Sequence, residues 1–194
     1  QNPIEQDGTY PLPEAQMDRF MFKLVVYNPS LEELKGIVSM TQKTMGEVAN
    51  VVCNAEQLLA MRETANQIPV ADEVLTFAMT LISATHPDSE CASEAAKKYV
   101  RLGSSPRGGQ ALISAAKVLA LMNGRFNVSY SDVASLAFPV LRHRMKMNFE
   151  AIAERVSPDE VIRMILTEVC KKCNVRLDAG ILNTAETGAN KKNK

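Results

Sequence analysis

Residues 20–27 (FMFKLVVY) are a continuous apolar run broken only by Lys23, the pattern of a strand buried on both faces. From residue 31 the period becomes helical, and one strand cannot form a sheet alone. This run constrains the fold more than any other feature. Residues 1–28 are expected to be the edge of a larger α/β domain that is missing, 31–177 a helical domain after it, and the polar stretch from 178 to 194 a disordered tail. The chain opens at Gln1 without Met, inside a motif-like segment (QNPIEQDGTYPLPEAQMDRF), which predicts a chain cut from something longer. Pro3, Gly8, Pro11 and Pro13 punctuate a loop there, and a turn or two of helix is expected from Glu14 to Arg19.

The helical part is legible from its caps. Ser30 with Glu33 three residues on forms a capping box before the stripe Leu31, Leu34, Ile37/Val38, Met45. Further helices are predicted over 55–66 and 72–84, the latter burying Val74, Leu75, Ala78, Met79 and Ile82. Residues 92–101 read as helical or extended. A clear helix runs from Pro106 to Asn123 with Leu112, Ala115, Ala116, Leu119 and Met122 on one side, and Gly124 ends it. Another is expected from Ser131 or Asp132 to Arg144. The last runs through Lys171, with Ser157 as N-cap, Pro158 at the first position and two acids in the first turn.

Composition excludes several classes. Hydrophobic residues make up 46% of the 194, and 22 basic side chains balance 22 acidic ones. That apolar share rules out overall disorder, and zero net charge argues against a nucleic-acid binder. No run approaches the roughly 20 apolar residues needed to span a bilayer, and no signal peptide is evident. Cys53, Cys91, Cys170 and Cys173 are too few and too irregular for a disulfide scaffold, so a reduced, cytoplasmic setting is expected.

The segment Gly103-Ser104-Ser105-Pro106-Arg107-Gly108-Gly109-Gln110 carries the most chemistry. Ser105 can cap the helix and Pro106 suits its first position. Arg107 then opposes the helix dipole, and each glycine costs up to roughly 1 kcal/mol in a helix. A phosphate resolves the conflict, because free N–H groups, the positive helix end and a guanidinium all favour it, and glycine lets it approach. The alternative is a solvated Arg at a helix start, with the glycines packed against a neighbour.

Taken with its surroundings, GSSPRGGQALISAAKVLALMNGR resembles the sensor 2 segment of MoxR-type AAA+ ATPases. QNPIEQDGTYPLPEAQMDRF resembles their sensor 1 loop and the helix after it. PVLRHRMKMNF, VLTFAMTLISATHP and SPDEVI resemble their helical lid, so the likeness runs from Gln1 to about Leu177. The resemblance implies a mainly α chain, a helical AAA+ lid bundle preceded by a short edge (loop, short helix, one strand) of an incomplete α/β core. It implies ATP and Mg²⁺ as ligands of the whole protein, a homo-oligomeric ring, often a hexamer, and partner remodelling, with von Willebrand factor A domain proteins among the clients. Asn2 matches the sensor 1 Asn that helps place the attacking water. Arg19 matches the arginine finger, and Arg107 the sensor 2 Arg. No GxxxxGK[ST] string is present; after Gly103 to Gly108 comes Gly109, not Lys. The chain alone is therefore expected not to hydrolyse ATP.

Two other clusters carry less. Cys170 and Cys173 share a helix face and read as partly buried cysteines, because a structural zinc would need two more ligands; no metal site is expected. Arg142-His143-Arg144 with Lys146 reads as a solvated basic face, with contact to a neighbouring subunit as the sharper alternative and nucleic acid less favoured for want of interleaved aromatics. A stand-alone helical interaction module, in which Arg107 serves structure only, is the competing account of the whole.

Overall fold

The computed structural model describes residues 12–42 and 49–182. The chain divides into two compact units, residues 24–67 in one and residues 1–23 with 68–194 in the other. The smaller unit holds α2 (Leu31–Thr41) and α3 (Ala55–Asn66). Each starts with a capping box: Ser30 Oγ accepts from the Glu33 amide, and Asn54 Oδ1 from the Gln57 amide. The reciprocal bonds satisfy the amides that a first helical turn leaves without partners.

In the larger unit, α1 (Glu14–Met17) is a single turn. The body is α4 (Asp72–Ala84), α5 (Glu94–Tyr99), α6 (Pro106–Met122), α7 (Tyr130–Leu141), α8 (Phe149–Ala153), α9 (Pro158–Lys172) and α10 (Ala179–Leu182). Strands β1 (Val100–Leu102) and β2 (Lys146–Met147) form a small antiparallel ribbon. Helices α4, α6, α7 and α9 enclose the core, where Phe77, Leu81, Leu112, Leu141, Ile162, Ile165 and Leu166 are fully buried. Each such side chain contributes about 1.5–3 kcal/mol relative to exposure. Phe77 meets Tyr130 edge to face at 5.4 Å between centroids.

Helical periodicity placed most elements, and the structure corrects details. The buried face of α4 is Val74, Phe77, Ala78, Leu81 and Ile82, while Leu75 and Met79 are exposed. The helix is rotated to bring its one aromatic residue inside, against Tyr130. Met122 is exposed, because α6 is ending there. Helix α7 starts one residue before Ser131 and stops at Leu141, not Arg144; Ser129 caps it, with Asp132 completing the box. Residues 179–182 of the expected disordered tail form α10, since Ile181 finds apolar cover against the core. The rest of that stretch, 183–194, lies outside the described residues.

The architecture is a helical bundle after a short edge, as expected, but the strand over 20–27 is not formed. Residues 20–27 are irregular, with a bend at Met21 and no ladder partners, and Phe20, Met21, Phe22 and Val26 are exposed. A strand needs a neighbour for its amides and carbonyls. The carbonyls of residues 18, 20, 21 and 23 and the Lys23 amide are taken instead by the end of α7 and the residues after it. The Lys23 amide donates to Pro139 O at 2.9 Å, one of the carbonyls that a helix C-terminus leaves free.

Candidate functional site

The first turn of α6 is fixed from behind. The Ser104 amide donates to Thr85 Oγ1 at 2.9 Å, and His86 Nε2 lies 2.8 Å from Ser104 O. A Cβ on Gly103 would come within 2.7 Å of both the His86 ring and Thr85 Oγ1, so the loop sits flat against the end of α4. Ser105 then caps α6, its Oγ accepting from the Arg107 amide at 3.2 Å.

The two helical glycines of the motif, Gly108 and Gly109, face inward and are buried. A Cβ on Gly108 would stand 2.0 Å from Ser104 Oγ and 3.2 Å from Arg144 Cδ; one on Gly109 would stand 2.9 Å from Met79 Cε. Close packing accounts for them, and the approach of a phosphate is not needed to do so. This is the alternative the sequence left open, glycines packed against a neighbour.

Arg107 points the other way. Its side chain is 55% exposed and its Nη1 lies 3.3 Å from Asp18 Oδ2. Ser105 Oγ is placed to donate to the same carboxylate, 2.9 and 2.8 Å from its two oxygens. Asp18 thus occupies the positive end of α6, where an anion is stabilised. Its second cation is Arg144, whose side chain is only 2% exposed and whose Nε lies 3.4 Å from Asp18 Oδ1.

Arg144 organises the segment that carries Arg19. Its Nη2 donates to Phe20 O at 2.6 Å and Asp18 O at 3.1 Å, and its Nη1 to Met21 O at 3.2 Å and to Val140 O. His143 Nε2 lies 2.9 Å from Phe20 O, and Arg142 Nη1 donates to Lys23 O at 3.0 Å. Arg142 also forms a two-pronged pair with Asp159 at the start of α9. The 142–144 cluster is therefore not a solvated face. Charge and hydrogen bonding are spent internally, clamping residues 18–23 onto the end of α7. Burial pulls the His143 pKa below its ordinary value, with the Arg144 and Lys23 charges adding to it against the Phe20 carbonyl and Asp18.

Of the three residues singled out from sequence, Asn2 lies outside the described residues. Arg19 is exposed on the turn after α1, and its guanidinium makes no hydrogen bond or ion pair among the described residues. Arg107 is brought next to that turn through Asp18. Sequence reasoning missed Asp18 and the buried role of Arg144. The signal for Asp18 was its adjacency to Arg19; nothing local marked Arg144.

Cys170 and Cys173 behave as packing residues. Cys170 is buried in α9 and desolvation, with the neighbouring Cys173, pushes its thiol up to about 11, so it is a poor nucleophile. Among the described residues no group of His, Cys, Asp and Glu is arranged to hold a metal ion. No described helix is long and apolar enough to cross a membrane.

Comparisons with known proteins bear on the same segments. Residues 92–165 match the AAA lid domain, and residues 1–22 match the ATPase family associated with various cellular activities (AAA). The chain is 37% identical over 169 residues to the chaperone MoxR1 of Mycobacterium tuberculosis, covering 87% of this chain and 45% of that protein. It is 34% identical over 172 residues to the uncharacterised protein YeaC of Bacillus subtilis, covering 87% and 50%. A crystal structure of a protein from Cytophaga hutchinsonii assigned as an ATPase aligns with a TM-score of 0.79 at 32% identity, covering 86% of this chain and 51% of that one. The chain spans about half the length of these relatives.

Proposed function

Because the chain belongs to the MoxR family of AAA+ ATPases, we propose that it forms the sensing and lid part of a ring ATPase that remodels partner proteins. In this reading residues 1–28 close the α/β core, with Asn2 in the sensor 1 position, and 31–177 contribute the lid. The ring is a homo-hexamer, and its clients include proteins with von Willebrand factor A domains.

One observation carries the reading. An exposed guanidinium, Arg107, stands at the capped N-terminus of a 17-residue helix, beside the turn that presents a second exposed guanidinium, Arg19. Both types of group suit a triphosphate, the first by stabilising bound charge and the second by meeting charge that develops during transfer. ATP bound to the whole protein supplies the phosphoryl group and the driving force. Arg107 is assigned to phosphate contact and Arg19 to the neighbouring subunit's nucleotide. The sequence carries no GxxxxGK[ST] string to cradle the phosphates, so residues 1–194 alone are expected not to turn nucleotide over.

The test is made in the assembled ATPase. Arg19→Ala is expected to abolish most hydrolysis while sparing ATP binding, and rings mixing Arg19→Ala with wild-type subunits to lose activity out of proportion to the mutant share. Arg107→Ala is expected to weaken nucleotide binding and the nucleotide response of the lid. Strictly proportional activity in mixed rings overturns the Arg19 assignment. Unchanged turnover and unchanged nucleotide response overturn that of Arg107. Mg-dependent turnover by the purified 194-residue chain overturns the division of labour.

A further inference from the structure

Asp18 is held by two cations of opposite character. Arg144 is buried, and its other nitrogens are committed to four backbone carbonyls, so it cannot leave. Its Nε makes no hydrogen bond and lies 3.4 Å from Asp18 Oδ1, an ion-pair contact only. Arg107 is more than half exposed and touches Asp18 through one nitrogen at 3.3 Å, a contact that is easily exchanged. We propose that Asp18 is a positioning residue that holds Arg107 until a phosphate takes it, its carboxylate then remaining paired with Arg144 and hydrogen-bonded by Ser105.

The proposal rests on the assignment of Arg107 to phosphate. Departure of Arg107 from a carboxylate with no other partner would leave a partly buried anion without a cation, which is costly. With Arg144 and the Ser105 hydroxyl in place, that cost does not arise. Asp18 therefore competes with phosphate for one guanidinium, and the competition is weak because the exchangeable pair is exposed. Asp18 also immediately precedes Arg19. Exchange at Arg107 is thus felt at the residue next to the second guanidinium, while the backbone of that turn stays clamped by Arg144.

A double-mutant cycle in the assembled ATPase separates this from a structural role. Asp18→Asn is expected to lower the KM for MgATP about two- to five-fold, the factor that loss of an exposed ion pair allows. In the Arg107→Ala background the same substitution is expected to leave KM unchanged. Its effect on the melting temperature, which reports the lost partner of Arg144, is expected to be equal in both backgrounds. Asp18→Glu, which keeps the charge, is expected to keep the wild-type KM. A KM that Asp18→Asn does not lower, or lowers equally without Arg107, overturns the proposal while the Arg107 assignment stands. If Arg107→Ala itself leaves KM and turnover untouched, the assignment has failed instead. Should Asp18→Asn not fold, the ¹³C carboxylate resonance of Asp18 in the wild type decides: inorganic triphosphate is expected to move it, and not in Arg107→Ala. A resonance unmoved at saturating triphosphate overturns the proposal.

Discussion

Arg142 and Asp159 meet in a planar, two-pronged pair, Nε to Oδ1 and Nη2 to Oδ2, both at 3.0 Å. The pair joins the C-terminal end of α7 to the first turn of α9, where a carboxylate is already favoured by the helix end. Both side chains are largely covered. Arg142→Lys keeps the charge and loses the fork, so it is expected to cost about 1–2 kcal/mol, and Asp159→Asn a similar amount. Urea denaturation of the singles and the double checks this. A coupling energy near zero would show the two side chains to be independent.

Gly108 and Gly109 are expected to respond differently to alanine. At both sites alanine gains up to about 1 kcal/mol of helix propensity. At Gly108 the new methyl collides with Ser104 Oγ, which is fully buried, and presses on Arg144 Cδ. Gly108→Ala is therefore expected to destabilise by about 1–3 kcal/mol, and Ser104→Gly in the same chain to recover much of that. At Gly109 the methyl meets the tip of Met79, an exposed and flexible side chain that can swing away. Gly109→Ala is expected to be neutral or slightly stabilising in thermal denaturation.

His143 predicts an acid-sensitive fold. Its folded-state pKa is depressed, chiefly by burial. The unfolded side chain takes up a proton near about pH 6.5, while the folded one resists it. Stability from this group is thus complete above that pH and is lost as pH falls through the depressed value. Denaturation midpoints are expected to drop on acidification from about pH 6.5, and His143→Gln to flatten that part of the profile. Retention of the slope in the variant would place the proton elsewhere. Asp132 and Glu160, whose carboxyl pKa values are also lowered, act only at more acid pH.

Asp132 combines two tasks that can be told apart. It completes the capping box of α7 by accepting from the Ser129 amide, and it accepts from Arg125 through both guanidinium nitrogens. Burial alone would raise its pKa, but the Arg125 and Ser129 bonds outweigh it. Arg125→Ala leaves a buried carboxylate without its cation and is expected to cost about 3 kcal/mol or more. Asp132→Asn keeps the cap and removes the charge, so it is expected to cost less. Chemical denaturation ranks the two, and equal losses would make the ion pair irrelevant.

Sequence alone read the local features well. The bounds of α3 and α4, the capping box at Ser30, the N-cap at Ser157 and the Ser105-Pro106 start of α6 all depend on residues within one turn of each other. Arg107 was placed correctly on its helix for the same reason. The failures share one cause. Whether residues 20–27 pair as a strand, which way Phe77 turns, and where Arg144 sits all depend on partners far away in the chain. Arg144 looked like one of several exposed cations because a buried arginine differs from a solvated one only in what surrounds it. Asp18 was passed over beside Arg19, although the carboxylate is what ties the two guanidinium positions together.

The clamp on residues 18–23 also limits how such a protein can bend. Peeling this stretch away would strand a guanidinium in a dry pocket and orphan the carbonyls it serves. The turn bearing Arg19 must then travel with the end of α7 as a single piece. Any pivot belongs on the C-terminal side of Lys23, where the main chain is released from that grip.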